Sequence, residues 1–193
     1  MRKILKRLIF ALFLIPNGFF FLLYRTLGVV FGAKQVFVGF SQGYSLLPGI
    51  VGDYCRSSFY FLSLKRCSPD VTINFGTFFS TSDIEIGTYV YIGANCIISS
   101  SVIEDDVVIG SNIQIIDGKL THNFDDTETP IRLQGGAATP IHIGRDCWIG
   151  NCAIIMADIG TKCIVGAGTV VTKPLEPYSV AVGNPGRVIR KRR

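Results

Sequence analysis

The 193-residue chain is poor in the residues that metal and disulfide chemistry require. It has only two histidines, and its six cysteines include no Cys-x-x-Cys pair. A three-histidine zinc site cannot be assembled within one chain from that supply. With no small-x-small cleavage site after the apolar N-terminal run, a secretory signal is not indicated, and reduced thiols in the cytoplasm are expected. Charge is scarce as well, at 17% of residues, and it is unevenly placed. Nine of the 19 cations sit at the two ends: Arg2, Lys3, Lys6 and Arg7, then Arg187, Arg190, Lys191, Arg192 and Arg193. The body between them carries ten cations against all 14 acids and is mildly acidic. No basic face interleaved with aromatics runs through it, which argues against a nucleic-acid partner. Basic ends suit a membrane phospholipid or a phosphate-bearing ligand.

What the chain does have is a period of six. Ile86, Ile92 and Ile98 form one run, and Ile103, Ile109 and Ile115 the next. Ile143, Ile149 and Ile155 follow after a gap, then Ile159, Val165 and Val171. Small residues often come next, as at Gly87, Gly93, Gly110, Gly144, Gly150, Gly160 and Gly166. Six is neither the helical period nor the simple alternation of a strand. It marks a coiled parallel β-helix of short strands and tight corners. Counting each step as position one, Cys96, Cys147 and Cys163 fall at position five, with Val90, Val102, Val107, Ile113, Ala153 and Thr169. Those cysteines read as small core residues. Two steps are short: Ile98 to Ile103, and Ile155 to Ile159 through Met156-Ala157-Asp158.

Four segments follow. Residues 1–34 are an apolar N-terminal segment, 35–69 a lead-in, 70–173 the β-helix, and 174–193 a C-terminal extension in which Pro177 and Pro185 mark an irregular return. Leu8 to Tyr24 carries no charge and is flanked by cations on both sides, with Pro16-Asn17-Gly18 at its middle. A helix–turn–helix dipping into the inner face of a membrane satisfies both flanks, with Pro-Asn-Gly at its tip. Within the lead-in, Gln35 to Gly39 is expected as a strand, and Leu46 to Tyr60 as a loop and short helix.

The period fails over residues 117–140, 24 residues with no repeat of their own. A segment of that length inside so regular a fold is expected to be a functional loop thrown out from one corner. It holds His122, with Asp125 and Asp126 close behind. An imidazole beside carboxylates is suited to general-base work near neutral pH. The other histidine, His142, falls at an outward strand position and reads as structural.

Three segments now define a resemblance. They are Pro140-Ile-His-Ile-Gly-Arg-Asp-Cys-Trp-Ile-Gly150, Val165-Gly-Ala-Gly-Thr-Val-Val-Thr-Lys173 and Gly183-Asn-Pro-Gly-Arg187. In this order, after a histidine-bearing loop, the chain resembles the hexapeptide-repeat acyltransferases over about residues 70–190. It is most similar to the O-acetyltransferases of sugars and polysaccharides and to their xenobiotic-acetylating relatives. The resemblance implies a mainly β fold, a left-handed parallel β-helix, and a homotrimer that binds acetyl-CoA between neighbouring subunits. It implies that His122 takes the proton of the acceptor, with Asp125 or Asp126 orienting it or holding acceptor hydroxyls. Matching cofactor positions are Gly110, Trp148, Asn151, Gly166 and Ala167 along the pantetheine arm, and Thr172, Lys173, Arg187 and Arg190 near the phosphates. Trp148 either packs beside that arm or fills a coil corner. The acceptor pocket is expected from residues 75–83 and the loop, with Ser82 and Asp83 as candidates.

The function expected is acetyl transfer to a sugar hydroxyl of a surface polysaccharide or its precursor, without a metal, at the cytoplasmic face of the membrane. N-acetylation of an amino sugar, or of an antibiotic, shares the mechanism. A non-catalytic trimeric scaffold would need neither His122 nor the C-terminal segment.

Overall fold

The computed structural model describes residues 2–117 and 122–193, with side chains from residue 4 onward. Six coils of a parallel β-solenoid follow three helices. Coil one holds β1 (Arg66–Cys67), β2 (Thr72–Ile73) and β3 (Phe78–Phe79). Coil two holds β4 (Ile84–Ile86), β5 (Tyr91–Ile92) and β6 (Ile97–Ile98). Coil three holds β7 (Ser101–Ile103), β8 (Val108–Ile109) and β9 (Gln114–Ile115). Coil four holds β10 (Ile141–Ile143), β11 (Trp148–Ile149) and β12 (Ile154–Ile155). Coil five enters through a bridge at Ile159 and continues as β13 (Ile164–Val165) and β14 (Val170–Val171). Coil six enters at Leu175 and ends in β15 (Ser179–Val182), against which β16 (Arg187–Lys191) returns antiparallel.

Stacked coils form three flat faces. The first is β1-β4-β7-β10, the second β16-β15-β13-β11-β8-β5-β2, and the third β14-β12-β9-β6-β3. Each repeat isoleucine points inward and stacks on the one a coil away: Ile86 on Ile103 on Ile143, and Ile92 on Ile109 on Ile149. All six of these side chains are fully buried, so the core is one continuous apolar column. The five-residue step before Ile103 shifts one register: Val102 sits outward in β7 and is only half-buried, not a core position. Cys96, Cys147 and Cys163 are buried as expected, and all six thiols are free.

The corners explain the small residues. A Cβ on Gly150 would lie 2.5 Å from the Ala167 amide nitrogen, so only glycine allows the coils to close up there. Among the described residues, eight non-glycine ones, Asn95, Asp106, Asn112 and Asp146 included, turn corners with φ between 54° and 64°. That backbone is costly for an L-residue, least so for Asn and Asp. Amides at these positions bond the neighbouring coil, as Asp106 N to Thr88 O at 2.9 Å, which offsets the strain.

The N-terminal segment differs from expectation. Pro16-Asn17-Gly18 makes no turn: α1 is one continuous helix, Arg2–Phe31, with Pro16 inside it. Asn17 is buried instead. Its amide donates to Phe13 O and to Ser58 Oγ, both at 2.8 Å, and accepts from the Tyr44 hydroxyl. Gln35–Gly39 is not a strand but part of α2 (Ala33–Ser45), whose buried Phe37, Ser41 and Tyr44 recur at helical spacing. The helix expected before Tyr60 is α3 (Gly49–Ser63).

Together α2 and α3 close the open end of coil one. Ser41 Oγ accepts from the Phe79 amide, the Gly76 amide bonds Ser45 O, and Tyr60 packs edge-on against Phe79. Arg56, with no exposed surface, bonds Ile73 O, Tyr44 O and Leu47 O and pairs with Asp53 at 2.6 Å. Tyr44 O belongs to the last turn of α2, so the guanidinium also caps that helix.

Candidate active site

One edge of the solenoid gathers the irregular features. The corner between the third and first faces is made by residues 80–83, 99–100, 116–117 with 122–140, 156–158 and 172–174. The expected loop therefore leaves this edge between β9 and β10. Its ends are tied by the Thr139 amide to Asp117 O at 3.0 Å, and the Ile141 amide bonds Ser100 O. Ser82 and Asp83 stand on the same edge: Ser100 Oγ donates to Asp83 O at 3.0 Å, and Lys65 reaches the Asp83 carboxylate at 3.8 Å. Thr172 and Lys173 occupy it two coils beyond the loop. The shortened step at Met156-Ala157-Asp158 lies between them and makes a tight corner, where Asp158 Oδ1 accepts from the His142 amide at 2.8 Å.

His122 is exposed on the loop. Among the described residues, no ion pair joins it to Asp125 or Asp126. The Asp126 carboxylate holds the loop's own turn, accepting from the Glu128 and Thr129 amides. A hydrogen bond from the Thr129 side chain, with those two amides, holds it below the usual range. Gln134 ties the same turn to Asp126 O and Thr129 O, each at 2.6 Å. Asp125 is exposed and outside that set. His142 faces outward from β10, 3.2 Å from Glu104, in the structural place expected.

The cofactor candidates divide among four places, of which the edge holding Thr172 and Lys173 is one. Gly110, Asn151, Gly166 and Ala167 stand at the corner between the second and third faces. Part of their role is packing: Asn151 Oδ1 accepts from the Ser111 amide at 2.9 Å, against the bare face of Gly110. Trp148 does not fill a corner; it lies outward on β11 and is 56% exposed. Arg187 and Arg190 lie on β16, exposed, beside β15. Among the described residues Lys173 and Arg187 pair with no carboxylate, so these cations are open to phosphate. Guanidinium and ammonium groups of this kind are chemically suited to the phosphates of a coenzyme A-type molecule.

A feature the sequence did not signal is a cavity of about 430 Å³ between α1, α3 and the first coils. It is lined by Lys6, Arg7, Asp53, Tyr54, Asp70 and Tyr89 among others, and Arg7 bridges to Asp70 across it at 2.9 Å. Its walls come from elements far apart in the chain, so no local motif announces it.

Residues 84–116 and 140–173 match the family model described as the hexapeptide repeat of succinyl-transferase. The six-residue period, realised as a six-coil parallel solenoid, is over these residues that of the matched hexapeptide repeat. A protein of Mycobacterium tuberculosis named a probable acetyltransferase is 31% identical over 115 residues, which is 56% of this chain and 37% of that one. An acetyltransferase-named protein of Schizosaccharomyces pombe is 32% identical over 134 residues, 67% of this chain and 60% of that one. The chain therefore matches between about a third and three fifths of the length of these relatives. Among solved structures, a galactoside acetyltransferase in complex with coenzyme A superposes with a TM-score of 0.64 at 26% identity, over 82% of this chain and 80% of that one.

Proposed function

We infer that this protein is an acetyl-CoA-dependent O-acetyltransferase acting on a sugar hydroxyl of a surface polysaccharide or its precursor, with His122 as general base. The observation that carries the reading is the loop at 117–140. It interrupts the solenoid between β9 and β10, its His122 is exposed, and its described ends leave the edge that also bears Asp83 and Lys173.

Acetyl-CoA brings the acetyl group as an activated thioester, so the protein needs alignment and a base rather than a nucleophile of its own. Lys173, Arg187 and Arg190 hold the phosphates, and Trp148 lies along the arm. His122 accepts the proton of the attacking hydroxyl. Asp125, free of the turn that occupies Asp126, is the carboxylate available to steady the imidazole or to hold a neighbouring sugar hydroxyl.

A homotrimer is supported by the outward faces. The second face shows an apolar column of Tyr91, Val108 and Trp148, each 42% exposed or more, and the third shows Ile97 at 40%. The first face instead carries Lys65, Arg66, Glu85, Glu104 and His142 in ion pairs. Two apolar faces and one charged face suit packing about a threefold axis. Such packing brings the loop of one subunit toward the cofactor residues of the next.

The test is release of coenzyme A from acetyl-CoA in the presence of neutral sugars, amino sugars and oligosaccharides. Turnover with neutral glycans, giving ester-linked acetate, is the expected result. Turnover confined to amino acceptors, giving amides, would overturn the O-acetyl assignment.

A further inference from the structure

The first 52 residues contain six cations and no acid; the first carboxylate of the chain is Asp53. Within them α1, about 45 Å long at 1.5 Å per residue, has two faces of different fate. One is packed along its length: Phe10 against Phe61, Phe13 stacked on Tyr54, Asn17 bonded to Ser58, and Tyr24 among Phe37, Phe40 and Phe59. The other presents Leu8, Leu12, Ile15, Phe19, Leu22 and Val29, each at least 64% exposed. Their spacing of four, three, four, three and seven is a single stripe. The one polar residue in line, Thr26, has its hydroxyl bonded back to Leu22 O at 2.9 Å, so the stripe offers no unmet polar group. Beside it opens an apolar groove of about 690 Å³, lined by Pro16, Phe20, Val36, Phe40 and Leu47 among others.

We propose that α1 lies flat in the surface of a membrane leaflet containing anionic lipid, its stripe in the acyl layer and the groove beside it taking acyl-chain segments. Charge decides the occupant. A second copy seated on the stripe would add its own cations to Arg25 and Lys34 with no acid in either segment to answer them. Anionic headgroups meet Arg25 and Lys34, which pair with no carboxylate among the described residues. Packing decides the orientation. For α1 to cross a bilayer its buried face would have to leave α2 and α3, and α3 is fixed to the solenoid through Arg56 and Ile73 O. An in-plane helix keeps every one of those contacts.

The proposal is independent of the acetyl-transfer reading, and its test needs no turnover. The full chain is floated with vesicles of phosphatidylcholine containing phosphatidylglycerol, and with phosphatidylcholine alone. Flotation with the mixed vesicles is expected, weaker by roughly tenfold or more on the neutral ones, because each surface cation contributes about 1 kcal/mol. Ile15→Glu with Phe19→Glu is expected to remove flotation while the circular dichroism spectrum is unchanged. For orientation, Ile15→Trp and Val29→Trp are each placed in a Trp148→Phe background and quenched with brominated lipids. Equal, shallow quenching is expected. A deep Ile15→Trp with a shallow Val29→Trp would overturn the in-plane arrangement. Failure to float on either vesicle, or an assembly in lipid-free solution that light scattering shows and Ile15→Glu with Phe19→Glu abolishes, would overturn the membrane assignment.

Discussion

Arg56 is the joint between the helical cap and the solenoid, and replacing it by methionine isolates that role. The substitution keeps most of the apolar volume and removes three bonds to carbonyls: Ile73 O is buried, Leu47 O is part-buried, and Tyr44 O keeps the Leu47 amide as a partner. Each acceptor left without a partner costs about 1–3 kcal/mol. Asp53 loses its partner too, but its side chain is 31% exposed and rehydrates. Against these losses stands the cost of burying a guanidinium, several kcal/mol, which the variant no longer carries. The balance is a net loss of roughly 1–3 kcal/mol, or about 2–12 °C in Tm for a chain of this size. The assay is urea unfolding at one fixed protein concentration, because an assembling protein gains apparent stability with concentration. Limited proteolysis at the α2–α3 link runs alongside and should cut the variant faster. A change below about 1 kcal/mol, or a stabilised variant, would refute the claim that this residue ties the two parts together.

Gly150→Val drives a branched side chain into the Ala167 amide nitrogen, 2.5 Å from the Cβ position, and should cost roughly 1–3 kcal/mol. Thermal unfolding measures it, and an unchanged Tm would contradict the corner geometry. In a thiol titration of the native protein the exposed Cys152 should react first and the half-buried Cys55 later. Cys67, its thiol pushed up to about 12 by burial, should wait for denaturant with the other buried cysteines. The loop should be acid-sensitive. The Asp126 carboxylate sits below its unfolded value of 3.8, so its contribution is complete above that pH and is lost as pH falls through the lower folded value. The protection factors for hydrogen exchange at Glu128 and Thr129, taken relative to the intrinsic rate at each pH, should therefore be constant from neutrality to about pH 4 and fall below it, and Asp126→Ala should show the low protection at every pH.

The solenoid was legible because each inward side chain recurs after one flat and one corner. Ile92, Ile109 and Ile149 announce a column before any contact is known. The loop was legible for the converse reason, as the only long stretch in which that recurrence stops. Elsewhere local pattern misled. Val36 and Val38 flanking Phe37 read as strand alternation, whereas the face that packs is Phe37, Ser41 and Tyr44, a spacing visible only once the partner surface on α3 is there. Pro16-Asn17-Gly18 read as a turn because the bonds that keep it helical come from Ser58 and Tyr44, distant in the chain. Val102 was assigned to the core because a five-residue step had been counted as six. The solenoid also runs a coil beyond Lys173, since Leu175 enters it directly after Pro174. The site was half legible: the edge on which Ser82, Asp83, His122 and Lys173 gather is a product of stacking and has no signature in the order of residues. The outward position of Trp148 likewise depends on which face β11 joins.

The central claim is that His122 is the base for transfer to a glycan hydroxyl. It is tested most directly by the turnover of acetyl-CoA with the best neutral acceptor, wild type against His122→Ala, at matched folding and assembly state. A general base contributes about 10²–10⁴-fold. The account predicts a fall in kcat of that order in the variant, with the affinity for acetyl-CoA unchanged because Lys173, Arg187 and Arg190 are intact. Equal turnover by the two proteins would contradict it.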